Sequence, residues 1–292
     1  MKNKVRTDIN TLVLLLPWLI TFVVFWLYPL LYAAYLSMTD YATLTAEANF
    51  IGFDNYINMI NDDLFWTSLG NTALFTLGTV PITTALAIFF ATLINKKITR
   101  FKEFFRVSYF LPSVTSMVVV ALIFTNLYSK NGYIIIICEM LGIPYAERGF
   151  LQEPSTALLS IMAMDVWMAV GYYMILFLAG MQTISKDLYD SAKLAGASAW
   201  QEFINITLPM LRPTLLFVVV INSIKSFQVF IEIFVMTKGG PMDSTMTLVY
   251  LVFVNAFEKS DMMGYASAVA YIVFIILLVF SFIQIKLLKP KT

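Results

Sequence analysis

Residues 189–209 read YDSAKLAGASAWQEFINITLP and lie between two long apolar runs. The stretch is polar, and small residues stand on both sides of Gly196. A turn between two membrane helices needs only a handful of residues, so this length calls for structure of its own. We predict two short helices that bend at Gly196, which permits torsions that other residues avoid. They should end at Pro209, which lacks a backbone donor.

The rest of the chain is too apolar for a protein that folds in water. Hydrophobic residues make up 60% of its 292 residues, against roughly 45–50% in an average soluble domain. There is no histidine and a single cysteine, Cys138. This composition excludes a His/Cys metal site, a histidine-based catalytic dyad and an internal disulfide. We expect no metal site, and we interpret Cys138 as a small apolar filler.

Six apolar stretches are long enough to cross a bilayer, which takes about 20 residues per helix. They must be helices, because backbone polar groups in lipid need partners within their own segment. We predict a single transmembrane domain over 1–292, with spans at 12–36, 71–94, 108–128, 157–184, 214–237 and 265–288. The first stretch follows basic residues as a signal peptide would, but it is too long for one and should be retained. The apolar segment Tyr133–Leu141 is too short to cross, and we predict that it lies at the interface or enters partly.

Basic residues are distributed unevenly among the connecting loops. They crowd into the amino terminus, residues 96–106, the polar stretch around Gly196 and the carboxyl tail. Residues 38–70 contain none, and residues 129–155 and 238–264 contain few. Because Lys and Arg favour the cytoplasmic side, this alternation predicts six spans with both termini in the cytoplasm. Loops 38–70 and 238–264 are then external.

Residues 187–212 resemble the EAA loop, by which permease subunits of ATP-driven importers dock onto their ATPase. The likeness rests on Asp190, Ser191, Ala192, Gly196, Ala197, Leu208 and Pro209. Asp190-Ser191 stands where that family usually has Glu-Ala, which keeps the sign of the charge and the small size. A plain interfacial amphipathic helix with no partner is the alternative interpretation of this loop taken alone.

Further motifs make the whole chain similar to sugar-type ABC importer permeases of the maltose-permease class. They are Gly52-Phe53-Asp54-Asn55-Tyr56, Asn71-Thr72, Leu111-Pro112, Ala179-Gly180-Met181-Gln182, Thr237-Lys238-Gly239-Gly240-Pro241 and Gly264-Tyr265-Ala266-Ser267-Ala268. The resemblance implies an all-α type I ABC importer permease fold in a bacterial cytoplasmic (inner) membrane. It also implies import of a carbohydrate, most simply an oligosaccharide.

The same resemblance implies partners. A second homologous permease would complete the path, two ATPase subunits would bind ATP and Mg²⁺, and an extracytoplasmic solute-binding protein would deliver the substrate. The chain has no Gly-rich phosphate loop, so we expect no cofactor, no enzymatic activity of its own and no nucleic-acid partner. Residues 38–70 and the Gly239-Gly240-Pro241 turn would meet the binding protein, unless that turn is simply solvated.

The charged residues Asp165, Lys225 and Glu232 fall well inside predicted spans. Charges there are costly and usually face a bundle interior or an aqueous path. They either line a substrate path or form an internal pair that holds helices together. On the fifth predicted span they belong to a polar stripe with Asn222, Ser226 and Gln228. The resemblance to maltose-type permeases adds Ser113 and Tyr172 as further groups that could hydrogen-bond a sugar.

Three alternatives remain open at this point. An ABC permease for glycerol phosphate is similar in sequence, although an anionic substrate would prefer a basic path and Lys225 is the only basic residue there. An ion-coupled secondary carrier could use Asp165, Lys225 and Glu232 as a relay, but no inverted repeat is evident. An intramembrane enzyme is remote, since the chain lacks histidine and paired catalytic carboxylates.

Overall fold

The computed structural model describes residues 13–43, 48–95, 102–259 and 261–288. Within these ranges the chain is helical, and β pairing is limited to two isolated bridges, Thr39–Phe50 and Ser129–Gly149. In chain order the helices are α1 (Val13–Leu36), α2 (Asp54–Ile60), α3 (Asp63–Asn95), α4 (Lys102–Val114), α5 (Met117–Leu127), α6 (Tyr133–Leu141), α7 (Pro154–Gln182), α8 (Lys186–Leu194), α9 (199–210), α10 (Arg212–Phe227), α11 (Ile231–Met236), α12 (Leu248–Glu258) and α13 (Met263–Leu288). Helix α9 joins Ala199–Glu202, a π-helical turn Phe203–Thr207 and Leu208–Met210.

Among the described residues, five helices are long and apolar enough to cross a membrane. They are α1, α3, α7, α13 and the stretch Arg212–Met236, which α10 and α11 share. The pair α4 and α5 meets the same criterion but is bent by 96°. The span predicted at 108–128 is therefore broken rather than straight. The break occurs because Ser116 has a ψ of 126°, outside the helical region.

Helix α3 begins at Asp63, well before the start predicted at residue 71. Polar side chains in its first turns made that segment look like a loop. The hydroxyls of Ser68 and Thr72 instead donate to the carbonyl oxygens four residues earlier, at 2.7 Å in both cases. A hydroxyl satisfied in this way can be buried within a helix, so hydropathy alone placed the boundary too late.

Helix α12 lies inside residues 238–264, for which the sequence predicts only a loop. The structure shows that part of this segment is helical. Leu248, Leu251 and Asn255 on this helix are buried, and the Asn255 side chain donates to the carbonyl oxygen of Leu251 at 2.9 Å. The helix is apolar but too short to span, which is why a search for full-length spans missed it.

The chain forms two compact units, of which the first comprises residues 1–62 and 251–274. Its polar contacts come from two of the motifs noted above. The Asn55 side chain donates to the carbonyl oxygens of Ser37 and Thr39 at 2.9 and 2.8 Å. The Tyr265 hydroxyl donates to Asp62 at 2.6 Å. These motif residues therefore hold the unit together.

The second unit comprises residues 63–250 and 275–292, and α7 is its most buried helix. Small residues bring the neighbouring helices close: Ala87, Ala91 and Ala169 are buried in one core cluster. At Gly171 an added Cβ would collide with the carbonyl oxygen of Tyr109. The backbones of α7 and α4 are therefore in close contact at this glycine, as small residues allow in membrane proteins.

Candidate functional site

The EAA-like loop (187–212) begins with helix α8, which is capped at both ends by local hydrogen bonds. The Ser185 hydroxyl accepts from the backbone N–H of Asp187 at 3.3 Å. At the other end Gly196 has a φ of +78°. The N–H groups of Gly196 and Ala197 bond back to the carbonyls of Lys193 and Ala192 at 3.0 and 2.9 Å. This pattern is a Schellman motif, and it needs a left-handed residue at position 196.

Helix α9 starts directly after that bend. Ser198 and Gln201 form a capping box, in which each side chain accepts from the other's backbone N–H, at 3.3 and 2.8 Å. The Tyr189 and Thr207 hydroxyls lie 3.0 Å apart and join α8 to α9. Leu211, at the start of α10, is fully buried. Helices α8 and α9 therefore form one ordered element within the second unit, and Leu211 anchors it.

The surface of this element carries the predicted docking residues. Asp190, Ser191 and Gly196 are exposed, while the others, Ala192, Ala197, Leu208 and Pro209, are half-buried. The Asp190 carboxylate lies 3.9 Å from the Lys193 ammonium group, and both are exposed. An added Cβ at Gly196 would meet nothing within 4 Å. The backbone torsion at Gly196, rather than limited space within this chain, therefore favours glycine.

Two exposed apolar residues on the same element escaped the sequence analysis. Leu194 is 92% exposed at the end of α8. Trp200 is also exposed on α9, where its ring stacks on Phe203 with 5.8 Å between centroids. Large apolar side chains left in the open on a polar element are typical of contact surfaces. Their position within an otherwise polar loop was the signal that could have revealed them.

The intramembrane charges form a pair between α7 and α10. The Lys225 ammonium group lies 3.9 Å from the Asp165 carboxylate, with side-chain exposures of 49% and 5%. Glu232 on α11 is buried as well. The acids Asp165 and Glu232 thus accompany the base Lys225 in these spans, and Lys225 already has an acidic neighbour.

Uncharged polar residues on α10 meet two neighbours that the sequence analysis did not select. Ser226 lies 3.2 Å from the Thr79 hydroxyl of α3, and Ser223 accepts from the Gln284 amide of α13 at 2.8 Å. Thr79 belongs to a buried hydroxyl stripe that could have been recognised from its helical spacing. Its members are Ser68, Thr72, Thr76, Thr79 and Thr83.

Asn222 is 1% exposed, and its amide nitrogen finds no hydrogen-bond partner among the described residues. It lies on the same stretch of α10 as Ser226, which has a partner on α3. Buried polar groups normally have a partner, and an unsatisfied one calls for an explanation.

The remaining predicted path residues are more scattered. Ser113 is half-buried, and its hydroxyl donates to the carbonyl oxygen of Phe110 at 2.7 Å. Tyr172 is exposed beside buried Tyr173, and Gln228 is exposed in the break between α10 and α11. The predicted stripe assumed one continuous helix. The structure corrects this, because Phe230 has φ −142° and ψ −57°, outside the helical region, and therefore ends the helical register.

A second loop, the Gly-Gly-Pro loop (237–247), is held by side chains from far along the chain. The Asn71 amide donates to the carbonyl oxygens of Asp243 and Met246 at 3.0 and 2.9 Å. The Thr72 hydroxyl accepts from the N–H of Leu248 at 3.0 Å. The motif at 71–72 thus binds the loop that begins with the motif at 237–241.

Comparison with known proteins defines the class of this site. Residues 83–292 match the family described as binding-protein-dependent transport system inner membrane component. The match covers more than half of the chain, which therefore belongs to this family. It is a multi-pass inner-membrane transport subunit and not an enzyme.

Two relatives cover almost the whole chain. The lactose transport system permease protein LacF of Rhizobium radiobacter is 33% identical over 279 residues, 95% of this chain and 93% of that protein. The multiple sugar-binding transport system permease protein MsmF of Streptococcus mutans is 36% identical over 271 residues, 93% and 92% of the two chains. The predicted resemblance to sugar-type ABC permeases is confirmed.

The fold has a close counterpart among solved structures. A chain of a bacterial alginate ABC transporter, solved in complex with alginate pentasaccharide-bound periplasmic protein, matches with a TM-score of 0.85. It is 20% identical, and the match covers 100% of this chain and 99% of that one. The predicted all-helical ABC importer permease fold is confirmed by this likeness.

Proposed function

We propose that this chain is the transmembrane permease subunit of an ATP-driven importer of carbohydrate, in particular of an oligosaccharide. It would form half of the path, with a second homologous permease as the other half. The relatives named for lactose and for multiple sugars support this substrate class. A solute-binding protein outside the cytoplasm would deliver the sugar.

The observation that carries the proposal is the EAA-like loop. Its helices satisfy their own ends through local caps, so the exposed side chains of Asp190, Ser191 and Leu194 remain available to a partner. We infer that an ATPase subunit occupies this surface and that the two ATPase subunits bind ATP and Mg²⁺. On this proposal, the loop lies on the cytoplasmic side, and both termini lie there too.

Force from the ATPase can pass to the spans through the loop's own contacts. Tyr189 and Thr207 join the two loop helices, and buried Leu211 anchors the start of α10. A displacement of α8 would therefore move α10, which carries Asn222 and Lys225. Because α10 ends at a break before α11, it can move without carrying α11 as a rigid extension.

The polar face of α10 supports a substrate path. A buried donor left unpaired, such as the Asn222 amide, costs about 1–3 kcal/mol. A conformation in which a sugar hydroxyl accepts from it would recover that cost. The broken helix and buried polar groups are features that transport proteins use near their binding sites. We assign Ser113, Asp165, Tyr172, Asn222, Lys225, Ser226, Gln228 and Glu232 to this path.

The charge of the cluster favours an uncharged substrate over glycerol phosphate. Lys225 is the one basic residue in this part of the predicted path, and Asp165 already lies 3.9 Å from its ammonium group. Glu232 adds a further acidic side chain. An anion would meet no uncompensated positive charge at this cluster.

Energy coupling tests the proposal directly. Cells that express the chain with its partner subunits should take up labelled lactose, raffinose or maltotriose. Uptake should survive an ionophore and require an ATPase subunit with an intact catalytic site. Uptake that collapses with the ionophore would favour an ion-coupled carrier. Failure to import any of these sugars, with import of glycerol phosphate instead, would refute the carbohydrate assignment.

Substitutions test the path. Asn222→Ala and Tyr172→Ala should each lower the initial rate of sugar uptake several-fold, while the assembled complex is recovered in normal amounts. The matched controls are Asn126→Ala and Tyr133→Ala, which remove the same groups outside the predicted path. Wild-type uptake by both path variants would contradict the assignment of these residues.

A further inference from the structure

A cavity of about 360 Å³ lies in the second unit, far along α7 from the EAA-like loop. Three segments enclose it: the end of α5, the stretch before α7, and the turn that follows α11. Its lining residues are Thr125, Tyr128, Ser129, Gly149, Leu151, Gln152, Met236, Thr237, Gly240 and Pro241. The EAA-like loop follows the opposite end of α7, a helix of 29 residues and so about 43 Å long.

The walls of this cavity are fixed by hydrogen bonds. The backbone N–H of Phe150 donates to the carbonyl oxygen of Tyr128 at 3.0 Å. On the other wall the Thr245 hydroxyl donates to the carbonyl oxygen of Gly240 at 2.7 Å. The Asn71 bonds described above hold the same loop in place. The space is therefore a formed cavity between two tied segments rather than a gap between loose ones.

The lining has a definite chemistry. Tyr128 is 7% exposed, and its ring is set between Phe124 and Phe150. Neither the Tyr128 hydroxyl nor the Gln152 amide is hydrogen-bonded to another described residue. None of the lining residues is Asp, Glu, Lys or Arg. The cavity thus offers apolar side chains such as Leu151, Met236 and Pro241, unengaged polar groups and no fixed charge.

A neutral sugar ring matches these properties. Its apolar face can lie against the apolar lining, and its hydroxyls can both donate to and accept from a phenol and an amide. The volume lies at the lower end of the roughly 300–1,000 Å³ that ligand sites occupy, which suits one or two rings. A uronate or a phosphate ester would bring a charge that nothing in the lining neutralises.

We propose that this cavity is a receiving subsite, in which one neutral sugar unit is held before it enters the path between the spans. The inference rests on the proposed function, because it takes the ligand to be the transported carbohydrate. In the orientation proposed above, the cavity opens on the side where the binding protein releases its sugar. Tyr128 and Gln152 are the residues that recognise the ligand.

The test uses the intact complex in lipid nanodiscs without its binding protein. Lactose, raffinose and maltotriose serve as neutral probes and digalacturonate as the anionic one, with binding followed by saturation-transfer NMR. At least one neutral probe should bind, and digalacturonate should not. Tyr128→Phe and Gln152→Ala should each weaken neutral binding about 3- to 10-fold, as loss of one hydrogen bond predicts. Tyr133→Phe, which lies outside the cavity, should have no effect.

The outcomes separate this inference from the proposed function. If cells import a neutral sugar but neither variant changes binding or the KM of uptake, the subsite is refuted while the importer stands. Absence of neutral binding to the complex, or equal binding of digalacturonate, refutes the subsite too. If no neutral sugar is imported at all, both proposals fall.

Discussion

The EAA-like loop and the Gly-Gly-Pro loop differ in where their stabilising hydrogen bonds come from. In the EAA-like loop the partners are neighbours in sequence, such as Ser198 with Gln201 and Gly196 with Lys193. In the Gly-Gly-Pro loop a decisive partner, Asn71, is 172 and 175 residues away from the carbonyls that it binds. Both loops lie in the second unit, so the contrast is internal to one compact body.

On the proposed function, this difference separates a surface that meets a partner from a surface built into the fold. Because the EAA-like loop stabilises itself locally, its exposed side chains can be chosen for an ATPase without any loss of internal stability. The Gly-Gly-Pro loop has local hydrogen bonds too, but it also depends on α3, whose Asn71 side chain binds two of its carbonyl oxygens. Substitutions in the two regions should therefore fail in different ways, one in coupling and the other in folding.

The largest effect is expected for Asn71→Ala. The change removes two hydrogen bonds and leaves the carbonyls of Asp243 and Met246 without that donor. It should destabilise the protein by about 2 kcal/mol, seen as a lower Tm of the purified complex in detergent. Asn126→Ala is the control, because that amide bonds only within its own helix, to Leu122. Equal Tm values for the two variants would show that the long-range bonds contribute little.

A smaller effect, without loss of folding, is expected for Leu194→Asp. Leu194 is 92% exposed, so the substitution should change stability by no more than about 0.5 kcal/mol. It should lower recovery of the ATPase with the permease about tenfold, equivalent to about 1.4 kcal/mol of association. Met242→Asp is the matched control, since Met242 is 88% exposed on the Gly-Gly-Pro loop. If Met242→Asp reduced ATPase recovery as much, the proposed division between the loops would be wrong.

The same contrast explains what could be predicted from sequence. Helix caps and a glycine bend leave local signatures, so the sequence predicted two short helices on either side of Gly196. The second helix ends at Met210, one residue past the predicted end at Pro209. Long apolar runs likewise predicted the spans. The bend at Ser116, helix α12 and the Thr79–Ser226 contact depend on tertiary packing. Hydropathy carries no information about such contacts, because it sums each segment without regard to its neighbours.

The ion pair between α7 and α10 shows the same limit of prediction from sequence. Spacing alone indicated that Asp165, Lys225 and Glu232 face inward, but not which of the two acids lies beside the lysine. The structure places Asp165 there. It also breaks the helix before Glu232, so that a register counted along one continuous helix no longer holds. The backbone torsions at Phe230 end the helix there, and the residue type at this position does not predict the break.

The smallest and most local effect should come from Gly196→Ala. The φ of +78° at this position costs an alanine about 1–2 kcal/mol, and no atom within 4 Å adds a steric penalty. We expect sugar uptake to fall several-fold and the Tm of the complex to fall less than in Asn71→Ala, because only the bend between α8 and α9 is strained. Gly196→Asn should restore most of the activity, since asparagine tolerates the left-handed region better. If alanine and asparagine were equally impaired, close approach of a partner backbone, rather than torsion, would be the reason for glycine. That outcome would place the ATPase directly against the bend and sharpen the assignment of the EAA-like loop as the contact surface.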